Sequence, residues 1–343
     1  MRKTGDFVKN GGIFMLIKPY LDEELRQERR HLSPYACFSK DAVRKVPEKE
    51  MGLPFEVDRN KIIQSKAFRR MKHKTQVFLN PKGDHYRTRL THTLEVANIS
   101  RFIARYLRLN EDLAEAIALG HDIGHAPFAH TGEKVLEEYF GGDYSHNKQS
   151  LRVADHIEKL NLTDQVRDGI LHHTGTVQPF TLEGQVVKIA DRIAYLRHDI
   201  DDAIRGKVIV YEDIPRPLRD IFPNLDDVAT VLALDMIENS RDKDCIQMSD
   251  EMHKAMMELR TFMFETVYLR PSAQKEIQKT RHVILSLIRH YLKHPEDMPL
   301  AFQQIKEEWG LEQAVIDYIS GMTDAFAIER YQELFVPRKY DVL

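Results

Sequence analysis

Cysteine, tryptophan and long apolar runs are all scarce in this 343-residue sequence. The two cysteines, Cys37 and Cys245, stand far apart and outside any CxxC spacing. That excludes a disulfide framework and a thiolate zinc site, and it suits a reducing compartment, so the expected location is cytoplasmic. The apolar run "IFMLI", Ile13 to Ile17, is too short for a membrane span, and no membrane partner is expected. Strand-like alternation is also rare. Its best example is "GKVIVYED", around Val208 to Tyr211, which reads as one brief strand. There is no internal repeat and no low-complexity tract. A net charge of -3, with 30% charged and 42% hydrophobic residues, excludes a disordered chain and a gross polyanion binder. Locally the balance differs: from Arg59 to Arg108 thirteen Lys and Arg face only Asp84 and Glu95, a stretch suited to phosphates on a nucleotide or a nucleic acid.

Helical periodicity fills most of the rest. In "LTHTLEVANISRFIARYLRL" the apolar positions recur at three- and four-residue steps, and "NEDLAEAIALGHDIGH" restarts a helix with Asn110 as N-cap. "HTGEKVLEEYFGG" is a short helix closed by Gly141 and Gly142. "SHNKQSLRVADHIEKL" opens another at a Ser145 cap. Pro215, Pro217 and Pro223 mark a break. The expected fold is therefore all-α, with residues 1–57 as an N-terminal arm, 58–206 as a helical catalytic core and 207–343 as a further helical lobe packed on it.

The densest chemistry lies in "GHDIGHAPFAHTGE", Gly120 to Glu133, with three histidines, an aspartate and a glutamate. His121 and Asp122 end a helix whose upstream half is apolar, so imidazole and carboxylate can both turn to one metal ion if that end faces an interior cavity. Nitrogen and oxygen donors without sulfur suit Mn, Fe, Co, Ni, Mg or Zn. One pair cannot close a site. His92 in "RLTHTLEVA" and Asp191 in "VVKIADRIAY" are the further candidates, the latter flanked by apolar residues where a bare carboxylate would be costly. Taken singly, each reads first as a helix-capping or salt-bridged residue.

The order H…HD…D, together with "SHNKQS", "DGILHHTG", "IADRIAYLRHDIDDAI" and "YISGMTDAFA", resembles the HD-domain phosphohydrolases, and within them the dGTPase-like deoxynucleoside triphosphate triphosphohydrolases. The matching pieces span about Asp58 to Ala325. The resemblance implies an HD-domain core, one divalent metal held by His92, His121, Asp122 and Asp191, and hydrolysis of a dNTP to deoxynucleoside and tripolyphosphate. It implies a catalytic dyad of His130 and Glu133, in which the carboxylate fixes the imidazole tautomer. His125 would face the substrate phosphates, and Pro127 keeps "HAPFAH" out of regular helix. His146, in the first turn of its helix, is expected to be neutral and to donate a proton or bind phosphate.

Arg89, three residues before His92, shares a helical face with it and puts a guanidinium beside the metal. Arg192 and Lys188 flank Asp191. Of the basic run "QSKAFRRMKHKTQVF", Lys66, Arg69 and Lys72 fit a solvated stripe as well as a phosphate site, whereas Arg70 and Gln76 match substrate-contacting positions of the family. Asp191, Tyr195 and Asp199 sit at i, i+4 and i+8 on one face; by family analogy Tyr195 packs the sugar and Asp199 accepts from the 3′-hydroxyl. Asp201 and Asp202 read as helix-end or subunit contacts. In "LHHTG", His172 or His173 either completes a second metal site or lines the pocket. A nucleotide activator, single-stranded DNA and assembly as a homo-oligomer, hexamer or tetramer, are the further partners the resemblance brings. The rivals are another HD activity on nucleotides (monophosphatase, phosphodiesterase or alarmone hydrolase) and a nucleic-acid-binding regulatory scaffold. Base preference is not readable.

Overall fold

A computed structural model of the chain describes residues 12–48, 51–76, 87–142, 144–268 and 271–337. Val77, Lys82 and Asp84 lie outside them. Among the described residues the regular elements are helical, joined by loops with two isolated bridges, Arg44 to Thr163 and Thr75 to Thr88. The strand expected near Val208 to Tyr211 does not form. Val208 and Ile209 both donate their N–H to the Ala203 carbonyl, at 2.8 and 3.4 Å, and Ile209 is buried beneath the loop. Ile209 serves packing while Val210 is exposed, and among the described residues there is no partner strand to use them.

The centre is a pair of antiparallel helices, α1 (Arg89–Leu107) and α2 (Glu111–Gly120). Reciprocal bonds between Thr88 and Thr91 start α1. Arg108, at φ 56°, turns the chain, and Asn110 starts α2 by accepting from Leu113 N–H, as expected. Across both lies α3 (Leu182–Arg205), and α4 (Pro54–Gln64) covers the other side of α2. Val96, Ile103, Leu113, Ile117, Val186 and Ala190 meet in this core. Each large aliphatic side chain buried there contributes roughly 1.5–3 kcal/mol.

The second half of α3 leaves this core for another, in which Ile193, Leu196 and Ile200 pack with Leu218, Phe222, Leu232 and Leu259. A third core joins α5 (Ala129–Phe140) to α6 (Pro271–Lys293), α7 (Leu311–Ser320) and α8 (Asp324–Phe335) through Leu136, Ile284, Leu287, Tyr291, Val315 and Ile319. Between the first and third cores runs α9 (His146–Arg152), whose Gln149 and Arg152 donate to the buried Asp317 carboxylate of α7 at 2.7–2.9 Å. The chemistry-bearing segment therefore lies where the core helices meet the C-terminal helices.

Candidate active site

Apolar packing of Leu113, Ala116, Ile117 and Leu119 fixes the last turn of α2 inside the protein, and His121 and Asp122 follow directly. His121 Nδ1 donates to the Ala118 carbonyl at 2.6 Å, which leaves its Nε2 as a lone pair. That nitrogen is buried and has no hydrogen-bond partner. α1 brings His92 and α3 brings Asp191, with His92 Nε2 at 3.0 Å and His121 Nε2 at 3.8 Å from the same Asp191 oxygen. The donor atoms of His92, His121 and Asp191 all lie within 4.8 Å of one another. Asp122 joins them through Oδ2, 3.3 Å from His121 Nε2, while Arg89 Nη1 donates to that oxygen at 2.5 Å. An orphaned imidazole nitrogen among carboxylates, with no sulfur, fits a divalent cation.

The electrostatics agree with this. Burial works against charge on His121, but Asp122 and Asp191 outweigh it and push its pKa up to about 9. Burial likewise opposes charge on both carboxylates, yet Arg89 and His121 hold Asp122 well below the usual range, and His92 and His121 do the same for Asp191. A cation bound there would compete with a proton for His121 Nε2, so its binding should weaken as pH falls.

The loop after Asp122 is shaped by two glycines. A Cβ on Gly124 would lie 2.2 Å from Ser150 N, and one on Gly132 2.0 Å from the Pro127 carbonyl oxygen, so the loop lies directly on α9 and folds back over the start of α5. Phe128 and Ala129 both take the left-handed conformation, at φ 62° and 54°. This bend, and not helical spacing, sets His125 and His130. His125 is buried and stacked on His146, ring centroids 5.0 Å apart, and burial together with Arg89 keeps its pKa well below the usual value. His130 stands in the open, its side chain 67% exposed, with Nδ1 3.4 Å from Glu133 Oε2.

Glu133 holds His146 more tightly: its Oε1 accepts from the His146 backbone N–H at 2.8 Å and from Nδ1 at 2.7 Å. This revises two expectations. Ser145 occupies the N-cap position but its side chain makes no capping bond, and Glu133 accepts from the first N–H of the helix across the chain. Nor is the His146 ring driven neutral. Burial does oppose its charge, but the Glu133 hydrogen bond and the charges of Glu133 and Asp122 raise its pKa.

His173 belongs to this group and His172 does not. His173 donates from Nδ1 to the Ile170 carbonyl at 2.8 Å, and its Nε2 is 3.1 Å from His146 Nε2; burial first, then His121 and His146, lower its pKa to about 3. Asp122, His146 and His173 form a second set of donor atoms with cation spacing. His172 turns outward to Asp168, at 2.7 Å.

Of the phosphate-binding candidates, Arg89 is buried beside Asp122 and its Nε has no partner. Arg192 is half-buried on α3 next to Asp191, and on the face of α3 that carries Asp191 Tyr195 is half-buried and Asp199 buried. Gln76 is buried with its Oε1 unsatisfied, and Arg70 is exposed. Lys188 is drawn away: its Nζ donates to the Val177 carbonyl at 2.6 Å. Arg69 caps the Gln64 carbonyl. Among its described residues the basic stretch does not make a continuous basic surface, since acids from other segments meet it. Arg59 pairs with Asp112 and Glu115, Arg87 with Asp201 and Asp202, Arg105 with Glu111 and Arg108 with Asp242.

Sequence reasoning missed the ring behind the cation site. Glu95 Oε2 lies 2.6 Å from His198 Nε2, and the His198 ring stands edge-on to His92, 6.0 Å away. The signal was there in the spacing: Glu95 follows His92 by three residues and His198 follows Asp191 by seven, both on the inward face of their helices.

Comparison with known proteins now bears on this geometry. The HD domain family matches residues 89–196, and the phosphohydrolase-associated domain matches residues 246–333. The chain is 49% identical to the deoxyguanosinetriphosphate triphosphohydrolase-like protein of Caldanaerobacter subterraneus subsp. tengcongensis, over 92% of this chain and 95% of the relative. It is 46% identical to the protein of the same description from Desulfatibacillum aliphaticivorans, over 91% and 97%. The crystal structure of a phosphohydrolase from Bacteroides thetaiotaomicron shares the fold, with a TM-score of 0.51 at 16% identity over 86% of this chain and 72% of that one. With helical domain, histidine and aspartate cluster and near full-length relatives in agreement, the chain belongs to the deoxyguanosinetriphosphate triphosphohydrolase-like family of HD-domain phosphohydrolases.

Proposed function

We propose that the protein hydrolyses a deoxynucleoside triphosphate to the deoxynucleoside and intact tripolyphosphate, by attack of water on the α-phosphorus. The observation that carries this reading is the wall formed by His125, His130, Glu133 and His146 directly beside the His92, His121, Asp122 and Asp191 cluster. A single divalent ion held by those four ligands would polarise an α-phosphate oxygen and lower the pKa of water. Arg89 Nε, a buried donor without a partner, and Arg192 would meet the triphosphate, with Arg70 and Gln76 at its outer end. Tyr195 would pack the sugar and Asp199 would accept from the 3′-hydroxyl.

In the chemical step His130, oriented by Glu133, takes the proton from the attacking water. The α-phosphorus to O5′ bond breaks, its electron pair stays on O5′, and the proton that Glu133 and Asp122 stabilise on His146 moves to that oxygen. Hydrolysis in ¹⁸O-water tests the step: label is expected in tripolyphosphate, and label in the nucleoside 5′-hydroxyl refutes attack at phosphorus. Cytoplasmic location, a nucleotide activator and assembly into hexamers or tetramers belong to the same reading. Single-stranded DNA is its least supported partner, because the basic stretch is so widely paired. No described helix is long and apolar enough to cross a membrane.

A further inference from the structure

The catalytic loop is held by residues that lie outside the HD motif. Phe128 and Ala129 are consecutive left-handed residues with side chains, a conformation that costs energy in each and persists only where the surroundings enforce it. They immediately precede His130. The group that meets them comes from the C-terminal helices: Asp324, 7% exposed in the first turn of α8, accepts from Phe128 N–H through Oδ1 at 2.8 Å. Its Oδ2 accepts from Thr75 N–H at 2.9 Å and from the Thr75 hydroxyl.

One residue earlier Lys74, 2% exposed, makes the companion contact. Its Nζ donates to the His125 carbonyl at 2.5 Å and to the Ser320 carbonyl at the end of α7 at 2.8 Å. Its own carbonyl accepts from Arg89 N–H at 3.0 Å, at the start of the helix that carries His92. The two ends of the loop, the first turn of α1 and the ends of two C-terminal helices are thus tied through two adjacent residues and one carboxylate.

We infer that Asp324 and Lys74 are positioning residues, which keep the segment from His125 to His130 bent so that His125 lies against His146 and His130 stays within reach of Glu133. Neither is among the proposed substrate contacts; both act through the loop backbone. Their effect on turnover rests on the triphosphohydrolase reading, whereas their effect on the loop does not.

The experiment compares wild type, Asp324→Asn, Asp324→Ala and the double variant Asp324→Ala with Ala129→Gly. Its readouts are amide hydrogen exchange across residues 125–130, bound metal, melting temperature and steady-state kinetics with a dNTP and Mn²⁺. In Asp324→Ala, exchange at Phe128 is expected to rise at least tenfold, kcat to fall ten- to a hundredfold with KM changed less than threefold, and metal content to match wild type. Asp324→Asn, which keeps one acceptor oxygen, should fall between. Glycine at 129 removes the left-handed penalty without the carboxylate, so the double variant should regain part of the lost kcat. Unchanged exchange at Phe128 in folded Asp324→Ala overturns the inference. So does a kcat loss that glycine fails to relieve or that only follows global melting. If wild type turns over no dNTP, the functional reading fails while the exchange measurement still decides the role of Asp324.

Discussion

Replacing Arg89 with methionine keeps the length and apolar stem of the side chain and removes the cation that holds Asp122. Both partners are nearly inaccessible, with side chains 3% and 4% exposed and a nitrogen to oxygen distance of 2.5 Å. Water cannot take over the lost contact, and the neighbouring imidazoles, His121 and His125, are themselves buried. Removing one partner of such a pair costs about 3–5 kcal/mol. At roughly 1.4 °C per kcal/mol for a chain this large, the melting temperature in chelator should drop by about 4–7 °C. A divalent ion would restore positive charge at the same carboxylate. The rise in melting temperature on adding Mn²⁺ should therefore be larger in Arg89→Met than in wild type. Scanning calorimetry of both proteins, with EDTA and with Mn²⁺, reads the two differences. A drop below about 2 °C in EDTA, or an equal metal increment in the two proteins, would refute the coupling of Arg89, Asp122 and the cation.

Asp191→Ala should abolish binding of one equivalent of metal per chain, measured by elemental analysis after purification in Mn²⁺. Two equivalents in wild type would bring the Asp122, His146 and His173 group into the account. Glu183 is fully buried, accepting from the Cys37 and Asn110 backbone N–H groups at 2.9 Å, and burial raises its pKa from 4.5 to about 7 despite those bonds. Between these values the folded protein binds more protons than the unfolded chain, so stability is highest below pH 4.5 for this group and is lost as pH rises through 7. Glu183→Gln should remove that slope, worth on the order of 3 kcal/mol, so in urea unfolding at pH 8 it should be the more stable protein; a less stable one would contradict the argument. Gly124→Ala, whose Cβ would meet Ser150 N at 2.2 Å, should cost about 3 kcal/mol or more, seen as a lowered urea midpoint, and a neutral effect would mean the loop does not lie on α9 as described.

What the sequence shows well is what local rules control. The Asn110 cap, the apolar half of α2 that delivers His121 and Asp122, and the Gly141 stop at φ 87° follow from residue preferences within a few positions. The i, i+4, i+8 face of α3 is similarly local. What it hides depends on partners far along the chain. Ser145 has the chemistry of a cap yet makes no capping bond, and the bond to the helix start comes from Glu133. His146 looks neutral beside a helix start until the same carboxylate is brought to 2.7 Å. The apolar alternation of Val208 to Tyr211 describes burial against a neighbouring core and says nothing of a missing partner strand. Lys74 and Asp324, separated by some 250 positions, carry no periodic signal that would join them.

The central claim is the reaction itself, and product analysis tests it most directly. The purified protein is incubated with each dNTP, singly and mixed, with Mn²⁺ or Mg²⁺, and the products are separated by ion chromatography beside an Asp122→Ala control. The account predicts deoxynucleoside and tripolyphosphate in equal amounts, absent in the variant. Release of orthophosphate or pyrophosphate, or turnover that survives in Asp122→Ala, would contradict it.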